Sequence, residues 1–241
     1  PPVPRALWVE ATDALLAPTA EWTNKVELAD LNGDGLPDLL FANGGDYSTP
    51  GTPELNRAFY NMGPGKPFAE RTTQVFGTTP DLARVVKARD FNGDGRVDVF
   101  VGTTYQTQSR LYLADGSAGF VERTASHLPA VPLSVGDAEP GDVDGDGDLD
   151  LVAGNYQQTN KRYLNDGSGT FSATGMDVGS EADKTLSVAL GDADGDGDLD
   201  LIAGNVGQTN KLYLNNGSGG FSATGIAIGS ETDETHSVVL C

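Results

Sequence analysis

Four short segments of the chain concentrate aspartate and glycine at a spacing that suits a metal ion. Each follows the pattern D-x-[DN]-x-D-G-x-x-D, and successive copies begin 60, 52 and 50 residues apart. We call them acidic loops one to four. Like charges packed this densely repel one another unless a cation neutralises them. The oxygen-bearing side chains at positions one, three, five and nine are Asp30/Asn32/Asp34/Asp38, Asp90/Asn92/Asp94/Asp98, Asp142/Asp144/Asp146/Asp150 and Asp192/Asp194/Asp196/Asp200.

The donor set of these loops predicts calcium. Oxygens at positions one, three and five converge when the chain wraps around one centre, and the glycine at position six permits the sharp turn. Calcium takes six to eight oxygens in flexible geometry, whereas magnesium needs a tighter octahedron and zinc prefers His or Cys. We therefore expect about four Ca²⁺ sites. Position seven supplies a backbone carbonyl to each of them, from Leu36, Arg96, Asp148 and Asp198.

Two alternatives to this interpretation have to be weighed. An EF-hand would need a bidentate Glu at position twelve and flanking helices. Position twelve is instead apolar and falls in strand-like runs, so the sequence excludes an EF-hand. The loops could also be ordinary acidic turns, but four spaced copies with the same glycine favour a cation whose role is structural. The residues at position twelve are Phe41, Val101, Ala153 and Ala203.

The composition narrows the possible classes of partner. The formal net charge is −20, and the acidic loops hold 16 of the 35 acidic residues. The sequence has no basic stripe to neutralise phosphates, which argues against nucleic acid as a partner. Its apolar runs are too short to span a membrane. The one cysteine, Cys241, cannot form an internal disulfide.

The chain consists of internal repeats, and the repeats predict the fold. Residues 142–191 and 192–241 are identical at 35 of 50 positions. Each repeat contains four short runs of alternating apolar residues separated by Gly, Asn and Asp, which is typical of strands joined by tight turns. Four strands per repeat of this length predict an all-β propeller of four-stranded antiparallel blades in one domain, residues 1–241. The predicted blades are about 24–73, 84–125, 134–175 and 186–225.

The two ends of the chain predict additional single strands. Residues 6–12 resemble the last strand of a blade, and residues 236–241 resemble a first strand. Four blades are few for a closed ring, so we expect a partial propeller. Such a chain is a fragment, or a second chain completes its ring, or the extra strands close a compact ring.

The same motifs resemble those of a known family. The D-x-D-x-D-G-x-x-D loop before a strand, followed by N-x-L-Y-x-N-x-G-x-G-x-F, is similar to the FG-GAP/VCBS repeats of integrin α subunits and of many secreted proteins. The resemblance covers the chain from about Asn24 onward. The resemblance implies calcium in the loops and a propeller, which in this family commonly has seven blades. It also implies a secreted or cell-surface location, with any leader absent from this chain. Asn32 and Asn92 depart from the pattern by removing one charge each.

The resemblance implies a scaffold for adhesion or recognition, and the repeat geometry indicates where a ligand would bind. In an up-and-down blade, the links between strands two and three lie on the face opposite the acidic loops. Tyr47, Tyr105 and Tyr156 recur in these links beside Asn, Gln and Thr. Exposed aromatic rings among such side chains suit a carbohydrate or protein ligand. The alternative is that each tyrosine packs between neighbouring blades.

Sequence evidence for catalysis is weak. The only histidines are His127 and His236, and neither has an evident nucleophile beside it. Neither the G-x-S-x-G nor the H-E-x-x-H motif occurs. We therefore predict a binding protein without catalytic residues. The alternative is a polysaccharide lyase or another hydrolytic or lytic domain built on a calcium-binding propeller.

Overall fold

The computed structural model describes residues 15–16, 20–45, 49–117 and 119–240. Sixteen strands form four separate sheets of four antiparallel strands each, arranged as the blades of a propeller. Strand order within every sheet follows chain order, so each blade is a simple meander. The all-β, four-bladed prediction is therefore confirmed.

Each blade contributes four consecutive strands. Blade one contains β1 (Thr23–Ala29), β2 (Asp38–Asn43), β3 (Arg57–Tyr60) and β4 (Ala69–Glu70). Blade two contains β5 (Ala83–Arg89), β6 (Asp98–Thr103), β7 (Arg110–Ala114) and β8 (Phe120–Glu122). Blade three contains β9 (Val135–Gly141), β10 (Asp150–Asn155), β11 (Asn160–Tyr163) and β12 (Met176–Val178). Blade four contains β13 (Thr185–Gly191), β14 (Asp200–Asn205), β15 (Asn210–Tyr213) and β16 (Ile226–Ile228).

The acidic loops close the same hairpin in every blade. In each blade the residue just before the loop pairs with the Asp at position nine, which begins the second strand. All four loops consequently lie at one end of the first two strands, and the links between the second and third strands lie at the other end. The four closing pairs are Ala29↔Asp38, Arg89↔Asp98, Gly141↔Asp150 and Gly191↔Asp200.

Apolar side chains at the seams between blades form the core. One cluster joins blades one and two, a second joins blades two and three, and a third joins blades three and four. Val86 and Ala88 of β5 are buried in the first cluster. Their counterparts on β1, Val26 and Leu28, are 48% and 61% exposed. The outward face of blade one thus presents apolar side chains that a neighbouring blade covers elsewhere.

Ion pairs link the innermost strands of different blades. Lys25 Nζ of β1 lies 3.3 Å from Asp137 Oδ1 of β9, across one intervening blade. Lys87 Nζ lies 2.6 Å from Glu139 Oε2. These pairs hold the first strands together along the axis of the propeller.

The structure differs from the sequence prediction in the last strand of blades three and four. We expected it at the F-S-A-T segment, but it lies at Met176–Val178 and Ile226–Ile228, beyond the predicted blade ends at 175 and 225. In blade three the F-S-A-T segment forms only an isolated bridge, Asn165↔Phe171. The Phe171 ring is buried in the seam, and the chain bends at 173–174 before pairing resumes at Met176.

Two short helices, which the sequence did not predict, follow the last strands of blades one and two. They are α1 (Thr72–Phe76) and α2 (Thr124–His127). Val75 and Phe76 of α1 are buried in the first seam cluster. In the part of the chain that the structure describes, no helix has the length and apolar character that a membrane crossing requires.

The predicted single strands at the two ends have different outcomes. Residues 6–12 lie outside the described residues. The prediction of a strand at 236–241 is wrong for its described part, because residues 236–240 form no strand. A strand needs a hydrogen-bonded partner, and this segment meets no second strand of its own. Its Val238 N–H instead donates to Ser187 Oγ of β13 at 3.1 Å.

Candidate calcium loops and ligand cavity

The aspartate at position one organises each acidic loop. Asp30 Oδ1 accepts hydrogen bonds from the backbone N–H groups of Gly33 at 2.8 Å and Asp34 at 3.1 Å. Asp30 Oδ2 accepts another from Gly35, the glycine at position six, at 2.7 Å. Gly35 has φ +82°, a backbone conformation in which a side chain would be strained. The same bond recurs between Gly95 and Asp90, Gly147 and Asp142, and Gly197 and Asp192.

The aspartate at position nine is completely buried and fastens the loop to the third strand. Asp98 Oδ2 accepts the N–H of Phe91 at 3.0 Å, and Asp98 Oδ1 accepts the N–H of Ala114 at 2.8 Å. Asp150 makes the equivalent pair of bonds with Val143 and Asn165. Burial raises the pKa of Asp98 and the pKa of Asp150 to about 6, although these hydrogen bonds favour the charged form.

Carboxylates converge in acidic loop three as the sequence predicted. One oxygen from each of Asp142, Asp144 and Asp146 lies within 4.8 Å of the other two. Burial and the neighbouring charge of Asp146 raise the pKa of Asp144. The Asp144 Oδ1 atom is enclosed and accepts no hydrogen bond from the described residues. Positions one, three and five of this loop therefore face a common centre.

Acidic loop four brings together a different set of side chains. The converging carboxylates are those of Asp192, Asp194 and Asp200, again within 4.8 Å of one another. Asp196, the expected ligand at position five, is not a member of this group. In this loop the Asp196 N–H donates to Asp194 Oδ1 at 3.2 Å. In loop three the equivalent N–H, of Asp146, donates to the aspartate at position one instead.

In acidic loops one and two, side chains of the loop itself offset part of the negative charge. Asn32 Nδ2 donates to Asp34 Oδ2 at 3.1 Å, which replaces a carboxylate repulsion by a hydrogen bond. Asn92 and Asp94 repeat this contact in loop two. Arg96 at position seven adds an ion pair there, with its Nη2 2.6 Å from Asp94 Oδ2.

The chemistry of acidic loops three and four fits a divalent cation such as calcium. The converging donors are hard carboxylate oxygens, and a divalent cation would neutralise the charge of the crowded aspartates. The enclosed Asp144 oxygen has unused acceptor capacity on the inner side of loop three. At position seven the N–H groups of Leu36, Arg96, Asp148 and Asp198 donate to the aspartate at position five, at 2.9–3.0 Å. Ligation by the carbonyl groups at position seven, by Asp196 and by the position-nine aspartates stays a prediction.

The opposite face carries a cavity of about 550 Å³ at the seam between blades two and three. Tyr105 and Tyr156, two of the three tyrosines predicted to contact a ligand, line this one cavity. Tyr47 lies outside the described residues. The volume is within the range of about 300–1,000 Å³ that is typical of small-molecule sites. Its lining also includes three glutamines of the same links, which the sequence pattern places beside the tyrosines without singling them out: Gln106, Gln157 and Gln158.

The sequence pattern of the repeats matches a known family over most of the chain. The FG-GAP-like repeat profile matches residues 30–101, 90–153, 142–203 and 192–241. The chain belongs to the FG-GAP-like repeat family. The four matches each begin at an acidic loop, so the family pattern and the observed blades have the same period. No curated protein is significantly similar to this FG-GAP-like chain in sequence.

Solved structures similar to this FG-GAP-like chain include a lectin. The lectin is from Agrocybe aegerita and specifically recognises non-reducing terminal N-acetylglucosamine. It is 18% identical, with a TM-score of 0.56, and the match covers 88% of this chain and 53% of the lectin. This chain thus spans about half the length of the lectin, and at this identity the likeness concerns the fold alone. The Tc holotoxin pore of Photorhabdus luminescens is 19% identical over 87% of this chain and 12% of that chain, with a TM-score of 0.35.

One contact of the FG-GAP-like chain has the form of a nucleophile–base pair. Ser126 Oγ lies 2.7 Å from His127 Nδ1 at the end of α2. The expectation that neither histidine has a nucleophile beside it is corrected by this contact. Among the described residues no carboxylate is hydrogen-bonded to His127, and Ser126 is exposed on the surface. The pair therefore lacks the orienting group that an activated serine requires.

Proposed function

We propose that this protein is a calcium-stabilised, extracellular propeller scaffold that recognises a carbohydrate or protein ligand on the face opposite its acidic loops. The observation that carries the calcium part is the convergence of Asp142, Asp144 and Asp146 within 4.8 Å. Three carboxylates at this separation destabilise the fold without a counter-ion, and a bound Ca²⁺ converts their repulsion into ligation. The ion supplies charge neutralisation and cross-linking of the loop.

The loop design supports a location where calcium is abundant. The loops lack the bidentate Glu with which high-affinity EF-hands complete their coordination, and their aspartates at positions one to five are largely solvent-accessible. Such sites suit the dissociation constants of about 10⁻⁴–10⁻³ M that are typical of extracellular modules. FG-GAP-like repeats are typical of extracellular proteins. We therefore place this protein outside the cell or at its surface.

A calcium titration tests the proposal. Isothermal titration calorimetry of the metal-free protein with CaCl₂ should show binding of about four ions per chain. Replacing Asp142 and Asp146 together by Asn should remove one of them, because loop three then loses two of its converging carboxylates. MgCl₂ should bind more weakly, since magnesium needs an octahedral cage. Absence of binding heat at millimolar Ca²⁺ would refute the calcium part.

The recognition part is supported by the ligand-sized cavity on the opposite face. The Agrocybe aegerita lectin, whose fold is similar, recognises N-acetylglucosamine, so a propeller of this type can bind a sugar. The test is to probe immobilised glycans and purified extracellular proteins with the calcium-loaded protein. Substitutions on the cavity face should abolish any binding, whereas substitutions of exposed acidic-loop residues should not once calcium is saturating.

A second chain that packs on blade one remains part of the proposal. It is supported by Val26 and Leu28, whose counterparts in blade two are buried against a neighbouring blade. Sedimentation velocity should show association that Leu28→Asp reduces. A monomer at all concentrations, with and without calcium, would exclude association between copies of this chain.

A further inference from the structure

Backbone strain in the described part of the chain is concentrated at the cavity on the face opposite the acidic loops. The non-glycine residues with positive φ there are Tyr105 (φ 52°), Gln106 (φ 60°) and Gln157 (φ 57°). All three line the cavity between blades two and three. Residues with a side chain adopt this conformation at a cost in free energy, and such residues cluster at functional sites.

The repeat itself shows that the strain at Gln157 is avoidable. The equivalent residue in blade four is Gly207, with φ 63°. A glycine therefore satisfies the turn, and the glutamine in blade three adds a side chain that the fold does not need. The preceding residue changes in parallel, from Tyr156 in blade three to Val206 in blade four. At these two positions blade three therefore carries an aromatic ring and an amide, whereas blade four carries neither.

The glutamine that follows Gln157 in the chain, Gln158, also differs from its counterpart in blade four, Gln208. Gln158 and Gln208 both accept a backbone N–H through Oε1, from Ser134 at 2.8 Å and from Lys184 at 2.7 Å. Gln208 Nε2 also donates to Asp183 Oδ1 at 2.9 Å. Leu133 occupies the position in blade three that corresponds to Asp183 and cannot accept a hydrogen bond through its side chain. Gln158 lines the cavity, and among the described residues its amide nitrogen has no protein acceptor.

The chemistry of the lining defines the kind of ligand. The amides of three glutamines and the hydroxyls of Thr104 and Ser134 both donate and accept hydrogen bonds, as the hydroxyl groups of a sugar do. The two tyrosine rings offer apolar faces for the C–H side of a pyranose. The described lining contains no carboxylate, although the protein carries a net charge of −20. Arg84, which is only 7% exposed, is its charged member.

We propose that the cavity between blades two and three is a saccharide-binding site for one or two neutral sugar units. Gln157 and Gln158 supply the hydrogen bonds that give specificity, and Tyr105 and Tyr156 supply the stacking surface. The left-handed backbone at 105–106 and 157 is maintained because it directs these side chains into the cavity. This inference rests on the proposed recognition function and names its ligand class and its residues.

Saturation-transfer NMR with the calcium-loaded protein and the methyl glycosides of glucose, galactose, mannose and N-acetylglucosamine tests the proposal. At least one glycoside should receive saturation, and Gln157→Gly should abolish the signal or weaken the affinity more than about tenfold. The same variant should melt at the same temperature as the parent or higher, because glycine relieves the strain. Binding that survives Gln157→Gly, or failure of all four glycosides and their disaccharides to bind, overturns the proposal.

A matched pair of alanine variants separates binding from folding. Gln158→Ala and Gln208→Ala each remove the same bond to a backbone N–H of a neighbouring link. Both variants should lose thermal stability, and Gln158→Ala alone should lose sugar binding. Equal loss of binding in the two variants would mean that Gln158 acts only through the fold, which overturns its assigned role.

The test of the saccharide site can fail without the calcium proposal failing, and the reverse also holds. If calorimetry shows calcium binding and no sugar binds, the saccharide site is wrong and the calcium-stabilised scaffold stands. If sugar binds equally in calcium and in chelator and calorimetry shows no calcium binding, the calcium part is wrong and the saccharide site stands.

Discussion

At the scale of single residues, the position-nine aspartates combine two roles that oppose each other. Asp98 is completely buried, which disfavours its charge, and it accepts two backbone hydrogen bonds that need that charge. Asp150 is likewise completely buried and accepts the two equivalent backbone hydrogen bonds. Asp98 joins its acidic loop to the end of the third strand, and Asp150 joins its loop to Asn165, just beyond the third strand. These two residues therefore couple the charge state of the loop to the integrity of the sheet.

Replacing such an aspartate should be costly. In Asp98→Asn or Asp150→Asn, the amide NH₂ group faces a backbone N–H and one buried donor loses its acceptor. We expect each variant to lose about 1–3 kcal/mol of unfolding free energy in urea titrations. Asp177→Asn is the control, because Asp177 is 59% exposed and its pair with Lys161 is worth at most about 1 kcal/mol. Equal losses in buried and exposed variants would contradict the assigned roles.

The raised pKa values predict an unusual pH dependence for the protein in chelator. Asp98 and Asp150 have folded-state pKa values of about 6, above the ordinary 3.8, so the folded state binds more protons than the unfolded state between these values. The free energy of unfolding therefore falls as pH rises through this window, for each group by at most about 1.4 kcal/mol per pH unit. Urea titrations with chelator should show greater stability near pH 5 than near pH 7. A steady decrease in stability from pH 7 to pH 5 would contradict this.

At the scale of elements, an asparagine clamp joins each of the last two blades to the acidic loop of the blade before it. Asn165 Nδ2 donates to Phe91 O of loop two at 2.7 Å and to Leu149 O of its own blade at 3.0 Å. Asn215 makes the same two bonds in the next seam, to Val143 O and Leu199 O. The clamp is absent between blades one and two, where Ala114 occupies the equivalent position.

A substitution that adds a clamp to the seam between blades one and two should therefore stabilise the protein. Ala114 and Leu31 line a cavity of about 290 Å³ beside acidic loop one. Ala114→Asn should place an amide there that reaches the Leu31 carbonyl, and it should stabilise the protein by about 1 kcal/mol in urea titrations. If Ala114→Asn instead lost about that much stability, the asparagine would not form the clamp in this seam.

Removing an existing clamp gives the converse test. Asn165→Ala leaves the buried carbonyl of Phe91 without this donor and should cost about 2 kcal/mol in urea titrations. Asn61→Ala is the matched control, since Asn61 bonds the carbonyl of Pro37 in its own blade and no loop of another blade. Asn61→Ala should cost clearly less. Equal costs would locate the effect within the blade and contradict a clamp across the seam.

The elements also show what the sequence alone could predict. The fifty-residue period and the glycine at position six were sufficient for the blade count and for the hairpin that each acidic loop closes. The motif could not show that the converging carboxylates of loop four include Asp200 rather than Asp196, because loops three and four have the same residues at all the donor positions. The last strands of blades three and four were misplaced because the chain bends at 173–174 and at 223–224, within segments that have the alternation of a strand, and pairs again only after these bends.

The cavity was only partly predictable from the sequence. Tyr105 and Tyr156 recur at equivalent links, so the repeat pattern was enough to select them. The strained backbone of Gln157 could not be read from its residue type, because glutamine rarely adopts positive φ, although Gly207 has the same conformation in the next repeat. The meeting of all three residues in one cavity is therefore a property of the assembled blades.

At the scale of the whole molecule, charge and structure divide the propeller into two faces. One face carries the four acidic loops with 16 of the 35 acidic residues, and the other carries the polar cavity. Apolar seams and the ion pairs of the innermost strands lie between them. Cations bound on the acidic face would stabilise the hairpins whose far ends form the cavity.

Thermal unfolding in the presence and absence of calcium tests the central claim most directly. An ion bound at about one hundred times its dissociation constant stabilises by about 2.7 kcal/mol per site. For four loops in a chain of this size, saturating Ca²⁺ should raise Tm by more than about 10 °C over the value in chelator. Magnesium at the same concentration should raise it less. Identical melting temperatures in calcium and in chelator would contradict the account.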